Sequence, residues 1–165
     1  MNRAGPHVEQ LVLRAASLAD LQLLLPLVEE FHALEGVHQS ATMRERALRP
    51  LLAEPALGRI WFIEHTGVVL GYVAVCFGYS IEFRGRDAFL DEVFISAPYR
   101  GRGLGGAALR ALGVEVEALG LKALHLEVDV DNEAARRLYE SAGFRLRERY
   151  KLMSWRLPGS FEPGD

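Results

Sequence analysis

Arg100, Gly101, Arg102, Gly103, Leu104, Gly105 and Gly106 follow one another, four glycines and two arginines in seven positions. Glycines adopt backbone torsions that other residues avoid, and they let a ligand approach the main chain without meeting a Cβ. Leu104, Ala108, Leu112, Val116 and Leu119 then recur at helical spacing, so the glycine turn opens a helix. The first N–H groups of such a helix point outward, and its macrodipole favours an anion there. Arg100 and Arg102 add positive charge at the same spot. The chemistry implied is a phosphate cradle.

Two other phosphate sites share parts of this pattern. Residues 101–106 fit G-x-G-x-x-G, and Glu127 lies near the distance at which a dinucleotide site carries its ribose-binding acid. That fold needs repeated strand–helix alternation, whereas this turn is preceded by a hairpin and followed by a single crossover. A nucleotide-hydrolysing P-loop requires Gly-Lys-Ser/Thr after the glycines, and none is present.

Two clusters rich in acidic residues stand out. Asp91 and Glu92 are neighbours in an extended stretch, so they point to opposite faces of a sheet and at most one of them enters a cleft in the usual way. Glu29, Glu30, His32 and Glu35 lie near the end of the first helix. They form a solvated face, or one or two of them line a pocket for a cationic substrate.

The 165-residue chain is half hydrophobic and a quarter charged, which fits one soluble domain with a sizeable core. Residues 1–9 are expected to be a tail, 10–157 the domain and 158–165 a Pro/Gly-rich second tail. A formal net charge of −3 argues against a general nucleic-acid binder. Residues 1–9 lack the apolar core of a secretory signal, and no apolar cluster is long enough to span a bilayer. A cytoplasmic protein is expected. Cys76 is the single cysteine, which excludes an internal disulfide and leaves no cysteine cluster for a metal. It reads as a small buried core residue.

The elements that hold these residues can be read in order. Residues 11–14 are a short strand. Ser17 with Asp20 opens a helix carrying Leu21, Leu24, Leu25, Val28 and Phe31, with a kink expected at Pro26. Thr42 with Glu45 opens a second helix that ends before Pro55. Residues 59–65 and 68–77 form an antiparallel hairpin across Thr66 and Gly67, with Gly71 a bulge or a point of close approach. Residues 78–87 are expected to be a loop or frayed strand ends, and 88–95 the central strand. Residues 123–130 alternate, with Glu127 and Asp129 on one face, and should lie parallel to the central strand after a right-handed crossover. Asn132 caps a helix over 133–142, whose inner face holds Ala135, Leu138 and Tyr139. Residues 144–149 and 150–155 are expected to be the last strands.

These pieces together resemble the GNAT superfamily of acyl-CoA N-acyltransferases. Arg100 to Gly105 match its Q/R-x-x-G-x-G/A signature, and the segment Leu138 to Phe144 resembles its Y-x-x-x-G-F helix end. The resemblance covers about Leu11 to Trp155 and touches the polyamine acetyltransferase branch. It implies an α/β fold of the α+β kind, with a mostly antiparallel central sheet, one splayed parallel strand pair and helices on both faces. It also implies acetyl-CoA as cosubstrate and no metal. Backbone groups of Val93, Phe94 and Ile95 would pair with the pantetheine arm. The turn from Gly101 through Gly103, Leu104 and Gly105 to Gly106 would hold the pyrophosphate, with Arg100 and Arg102 beside it. Asn132 and Ala135 would contact the cofactor arm, although Asn132 serves equally as a pure N-cap.

The implied reaction is acetyl transfer to a primary amine, with a small cationic amine as acceptor. A non-catalytic acyl-CoA-binding module and a protein N-terminal or lysine acetyltransferase are the other readings, and a homodimer is expected from the resemblance. Tyr139 falls where the family places a tyrosine that protonates the departing thiolate; the helix stripe alone predicts a core aromatic. An alkylamine with a pKa of about 10.4 lies roughly 3.4 units, about 4.6 kcal/mol, from its nucleophilic form at pH 7. A base or a water relay is therefore needed. Asp91 is the first candidate and Glu92 the second.

Overall fold

The computed structural model describes residues 11–157, so the expected tails lie outside the described residues. Strands β1 (Leu11–Ala15), β2 (Gly58–His65), β3 (Val68–Ser80), β4 (Gly85–Ile95) and β5 (Leu124–His125) form one sheet in sequential order. The first three pairings are antiparallel and the last, β4 with β5, is parallel. Helices α1 (Leu21–Glu35) and α2 (Ala41–Ala53) cover one face; α3 (Leu104–Ala118) and α4 (Glu133–Ser141) cover the other.

Residues 60–63 are apolar without a break because β2 is buried on both faces. Ile60 and Phe62 pack with Leu24 and Val28 of α1, while Trp61 and Ile63 pack with Ala108 and Leu112 of α3. All of these are nearly or fully buried, and each large side chain among them contributes about 1.5–3 kcal/mol by leaving water. Two layers of helix on one sheet follow from this two-sided pattern.

Gly71 marks both things expected of it. β3 carries an extra residue there, since Ile63 faces Gly71 while Glu64 faces Val69. A Cβ on Gly71 would lie 1.9 Å from the Phe94 carbonyl oxygen, so no side chain fits.

Several local expectations are corrected. For residues 78–87 the strand-end alternative holds and the loop shrinks: β3 continues to Ser80 and β4 begins at Gly85, leaving a four-residue turn between them. Ser40 rather than Thr42 caps α2, its hydroxyl accepting from the Met43 N–H at 3.2 Å. The Ser17–Asp20 box closes a single turn at residues 18–20, and α1 then runs on through Pro26. The parallel strand expected over 123–130 pairs at only two residues. Residues 144–157 form no strand, and Leu152, Met153 and Trp155 are exposed there. Cys76 is only half-buried. Among the described residues no helix is long and apolar enough to cross a membrane, and no group of acidic, His and Cys side chains is arranged to hold a metal.

Candidate active site

Ala88 lies opposite Leu124 and Phe89 opposite His125, and no further pairing of β4 with β5 follows among the described residues. Past that point the two chains part around a cavity of about 500 Å³. α1 contributes Phe31 and Glu35 to its wall; α4 contributes Tyr139 and Ala135, with Asn132 at the helix start. Asn132 caps α4 through a 3.0 Å bond from the Ala135 N–H.

The β4 wall is set by a bulge. Ala74 faces Glu92 and Val75 faces Leu90, which leaves Asp91 as the extra residue with no partner on β3. The bulge reverses the strand's alternation. Ala88 and Leu90 before it, and Val93 and Ile95 after it, pack toward α3, whereas Glu92 and Phe94 lie on the side of α1. Asp91 opens into the cavity. Glu92 does not line it: its Oε1 lies 2.8 Å from His32 Nε2, and its Oε2 accepts from the Tyr72 hydroxyl at 2.6 Å.

The same strand has main-chain groups to spare. The Ser96 N–H donates to the Leu70 carbonyl, so by antiparallel alternation the Phe94 main chain faces β3 and the amides of Val93 and Ile95 face the gap. The Phe94 side chain is core, in contact with Phe31 and Tyr72 at ring-centroid distances of 5.9 Å.

The glycine turn follows β4. Gly101 and Gly103 have φ of +74° and +75°, and a Cβ on either would meet nothing within 4 Å. Torsion, not crowding by the protein, calls for glycine here, and the space in front of the turn is open. Gly103 caps α3 without a side-chain bond, so the first N–H groups of that helix look into that space. Gly105 and Gly106, inside the first turn, let α3 pack against Leu138 of α4. Arg100 is exposed but folds back on the end of β4: its Nε donates to the Ile95 carbonyl at 2.7 Å and its guanidinium lies over the Phe94 ring. Arg102 is exposed on the turn and makes no hydrogen bond or ion pair among the described residues. Leu104 packs its side chain into the α3 core.

Charge in the cavity has one sign. Glu35, Asp91, Glu127 and Asp129 border it, and no lysine, arginine or histidine does among the described residues. Asp91 keeps part of its side chain open to the cavity, yet its pKa is raised. Burial is the largest cause and the Glu92 carboxylate the next; His32 opposes and Glu127 adds to the rise. Burial, then Glu35, raises the Tyr139 phenol. Tyr139 rests edge-on against Phe144 and its hydroxyl has no protein partner among the described residues. The cavity thus holds a phenol and a carboxylate that both keep their protons more tightly than usual, groups of the kind that general acid and base chemistry uses.

A family model for the acetyltransferase (GNAT) family matches residues 24–144, which include every residue of this cavity. The chain belongs to that family. Among its relatives, the thialysine N-epsilon-acetyltransferase of Bos taurus is 28% identical over 146 residues, spanning 80% of this chain and 82% of that protein. An uncharacterized N-acetyltransferase of Bacillus subtilis, YycN, is 38% identical over 60 residues, which is 36% of this chain and 38% of the relative. The crystal structure of an integron cassette protein from the mobile metagenome of Cole Harbour Salt Marsh superposes with a TM-score of 0.77 at 33% identity, covering 88% of this chain and 91% of that one.

In this GNAT chain the cavity thus unites Asp91, Val93, Asn132, Ala135 and Tyr139, with the glycine turn and the Ile95 amide at the same end of β4. Of the acidic residues suspected from α1, Glu35 lines the cavity. Glu29 instead pairs with Arg44 at 2.6 Å, and Glu30 lies 3.8 Å from Arg100. Sequence reasoning missed Glu127 and Asp129 as wall residues, although their shared face in the alternating stretch was a usable signal. His32 and Tyr72 as partners of Glu92 had none, because neighbouring apolar residues hide the bulge that aligns them.

Proposed function

We propose that this chain transfers the acetyl group of acetyl-CoA directly to the nitrogen of a small cationic primary amine. The observation that carries the reading is the cavity bordered by Glu35, Asp91, Glu127 and Asp129, with Tyr139 among them and no basic side chain among the described residues. Carboxylates attract a protonated amine and repel anionic acceptors. That the relative from Bos taurus is named for acetylating a side-chain amine supports the same class of acceptor.

The residues present fit acetyl-CoA. Gly101 and Gly103 hold positive φ in front of open space, and the uncapped start of α3 offers N–H donors to a pyrophosphate. Arg102 is placed to add charge there. The outward amides of Val93 and Ile95 suit strand-like pairing with an amide-bearing arm, and Asn132 and Ala135 face the same gap. When bound, the cofactor supplies an acetyl group activated as a thioester.

The chain's own residues supply proton control and orientation. Glu35 and Asp91 hold the ammonium end of the acceptor at the cleft. Asp91, made more basic by burial and by Glu92, takes the proton that must leave the nitrogen, directly or through water. The Val93 or Ile95 N–H donates to the carbonyl oxygen as negative charge develops on it. Tyr139 keeps its proton across the physiological range and gives it to the departing sulfur. We place this enzyme in the cytoplasm and as a homodimer, the exposed Leu152, Met153 and Trp155 offering apolar surface for a second copy.

The test is acceptor-dependent release of the CoA thiol, with mass detection of the acetylated product. The panel holds a polyamine, a basic amino-acid derivative, an aminoglycoside, and peptides with a free N-terminus or a lysine. Turnover with the first two is expected. Acetyl-CoA binding with no acetylation across the panel would mean a non-catalytic module, and turnover confined to the peptides would mean a protein acetyltransferase.

A further inference from the structure

Glu92 enters the chemistry above only through the effect of its charge on Asp91, yet it is the most fully bonded carboxylate on β4. Both oxygens are engaged, one by His32 of α1 and one by Tyr72 of β3. Tyr72 is completely buried and His32 is 8% exposed. His32 Nδ1 is buried without a hydrogen-bond partner among the described residues, so a neutral ring keeps its proton on Nε2, where Glu92 accepts it. Phe31, which lines the cavity, packs edge-on against Tyr72 with ring centroids 6.3 Å apart, so the network lies directly behind the cavity wall.

Its effect on Asp91 follows from the register. Without the extra residue in β4, Glu92 would share a face with Ala88 and Leu90 and point at the apolar layer of Ala108, Leu109 and Leu112. An ionised carboxylate cannot be held there without partners. Only the bulged register brings Glu92 to His32 and Tyr72, and that register is the one in which Asp91 is left unpaired and open to the cavity.

We propose that His32 and Tyr72 are positioning residues for acetyl transfer: they anchor Glu92 behind the β4 bulge and thereby hold Asp91 in the cleft. This rests on the reading of Asp91 as the proton acceptor. Neither residue touches the substrate in this scheme; both act through Glu92.

The experiment compares Tyr72→Phe, His32→Leu and His32→Gln in the full chain, with steady-state kinetics for the amine accepted by wild type. Tyr72→Phe and His32→Leu should each lower kcat about tenfold while the KM for acetyl-CoA stays within about twofold. His32→Gln, whose amide can donate from the Nε2 position, should recover most of the loss. In an Asp91→Asn background, Tyr72→Phe should cost nothing further, because two residues acting through one group are not additive. Full wild-type kcat in both Tyr72→Phe and His32→Leu, or an undiminished Tyr72→Phe loss in the Asp91→Asn background, would overturn the proposal. Tyr72→Phe removes a single oxygen and keeps the ring packing, so the test stands even where His32→Leu does not fold. A wild-type chain that acetylates no amine overturns the proposed activity and this inference together; an active wild type with unchanged variants overturns this inference alone.

Discussion

Replacing Gly103 by Ala isolates the cradle from the rest of the fold. Gly103 has φ +75° and an added Cβ would meet no atom within 4 Å, so the substitution brings no steric clash with the protein. Its cost is torsional, about 1–2 kcal/mol for a left-handed L-residue, partly offset by about 0.4–1 kcal/mol from the stiffer unfolded chain. The net loss is about 1 kcal/mol, a fall of roughly 3 °C in Tm for a domain of this size. Cofactor affinity should suffer more. If the Cβ or a relaxed torsion costs one charge-assisted N–H contact, about 1.5–3 kcal/mol is lost, or roughly 10- to 150-fold in Kd. Gly113 is the control within the same helix. It is exposed, has ordinary helical torsions and has nothing within 4 Å of a Cβ. Gly113→Ala should raise stability by about 0.5–1 kcal/mol and leave Kd unchanged. Thermal unfolding and calorimetric titration with acetyl-CoA measure both quantities on both variants. Wild-type Kd in Gly103→Ala, with the expected fall in Tm, would refute the cradle.

Tyr139→Phe should lower kcat by about 10²-fold with the acetyl-CoA KM within twofold, the pattern of a lost general acid; an unchanged kcat with weakened cofactor binding would remove that role. Asp91→Asn should abolish most turnover at neutral pH and yet stabilise the fold. The folded-state pKa of Asp91 is raised, so its ionisation opposes folding. That penalty is nil below the ordinary value of about 3.9 and complete once pH exceeds the raised one. The gain in Tm from Asp91→Asn should therefore be present at pH 7 and vanish near pH 3, as read by unfolding at a series of pH values. Gly71→Ala forces a Cβ to 1.9 Å from the Phe94 carbonyl and should cost about 3 kcal/mol or more; a Tm within 2 °C of wild type, well under the fall that such a cost implies, would contradict the close approach.

The parts of the site that lie close together in sequence were legible from it. The glycine turn opens α3, Asn132 caps α4, and Tyr139 sits on the inner face of α4, each because a local rule about torsion, capping or periodicity decides it. The bulge was not legible. Leu90 and Val93 share a face three residues apart, which is its trace, but Phe89 and Phe94 are also apolar and hide the break in alternation. Thr42 with Glu45 matches the capping box better than Ser40, which has Met43 at that spacing, and the true cap follows from the helix start, which tertiary packing sets. Residues 144–155 carry strand-like apolar spacing, yet spacing does not supply a neighbouring strand, and none is paired with them here.

The two-residue ladder between β4 and β5 has a kinetic consequence. β2 and β3 are locked together by eight residue pairs, and exchange of their amide hydrogens with solvent should require opening a large part of the sheet. Past Leu124 and His125, the peptide groups of residues 126–130 have no strand partner toward β4. Their hydrogens should exchange orders of magnitude faster than those of the central strands, at the low-stability end of the molecule. β4 is held to β3 on both sides of the Asp91 bulge while the opposite lip has no ladder to β4, so the width of the gap can change without disturbing the hydrogen bonds that define the fold.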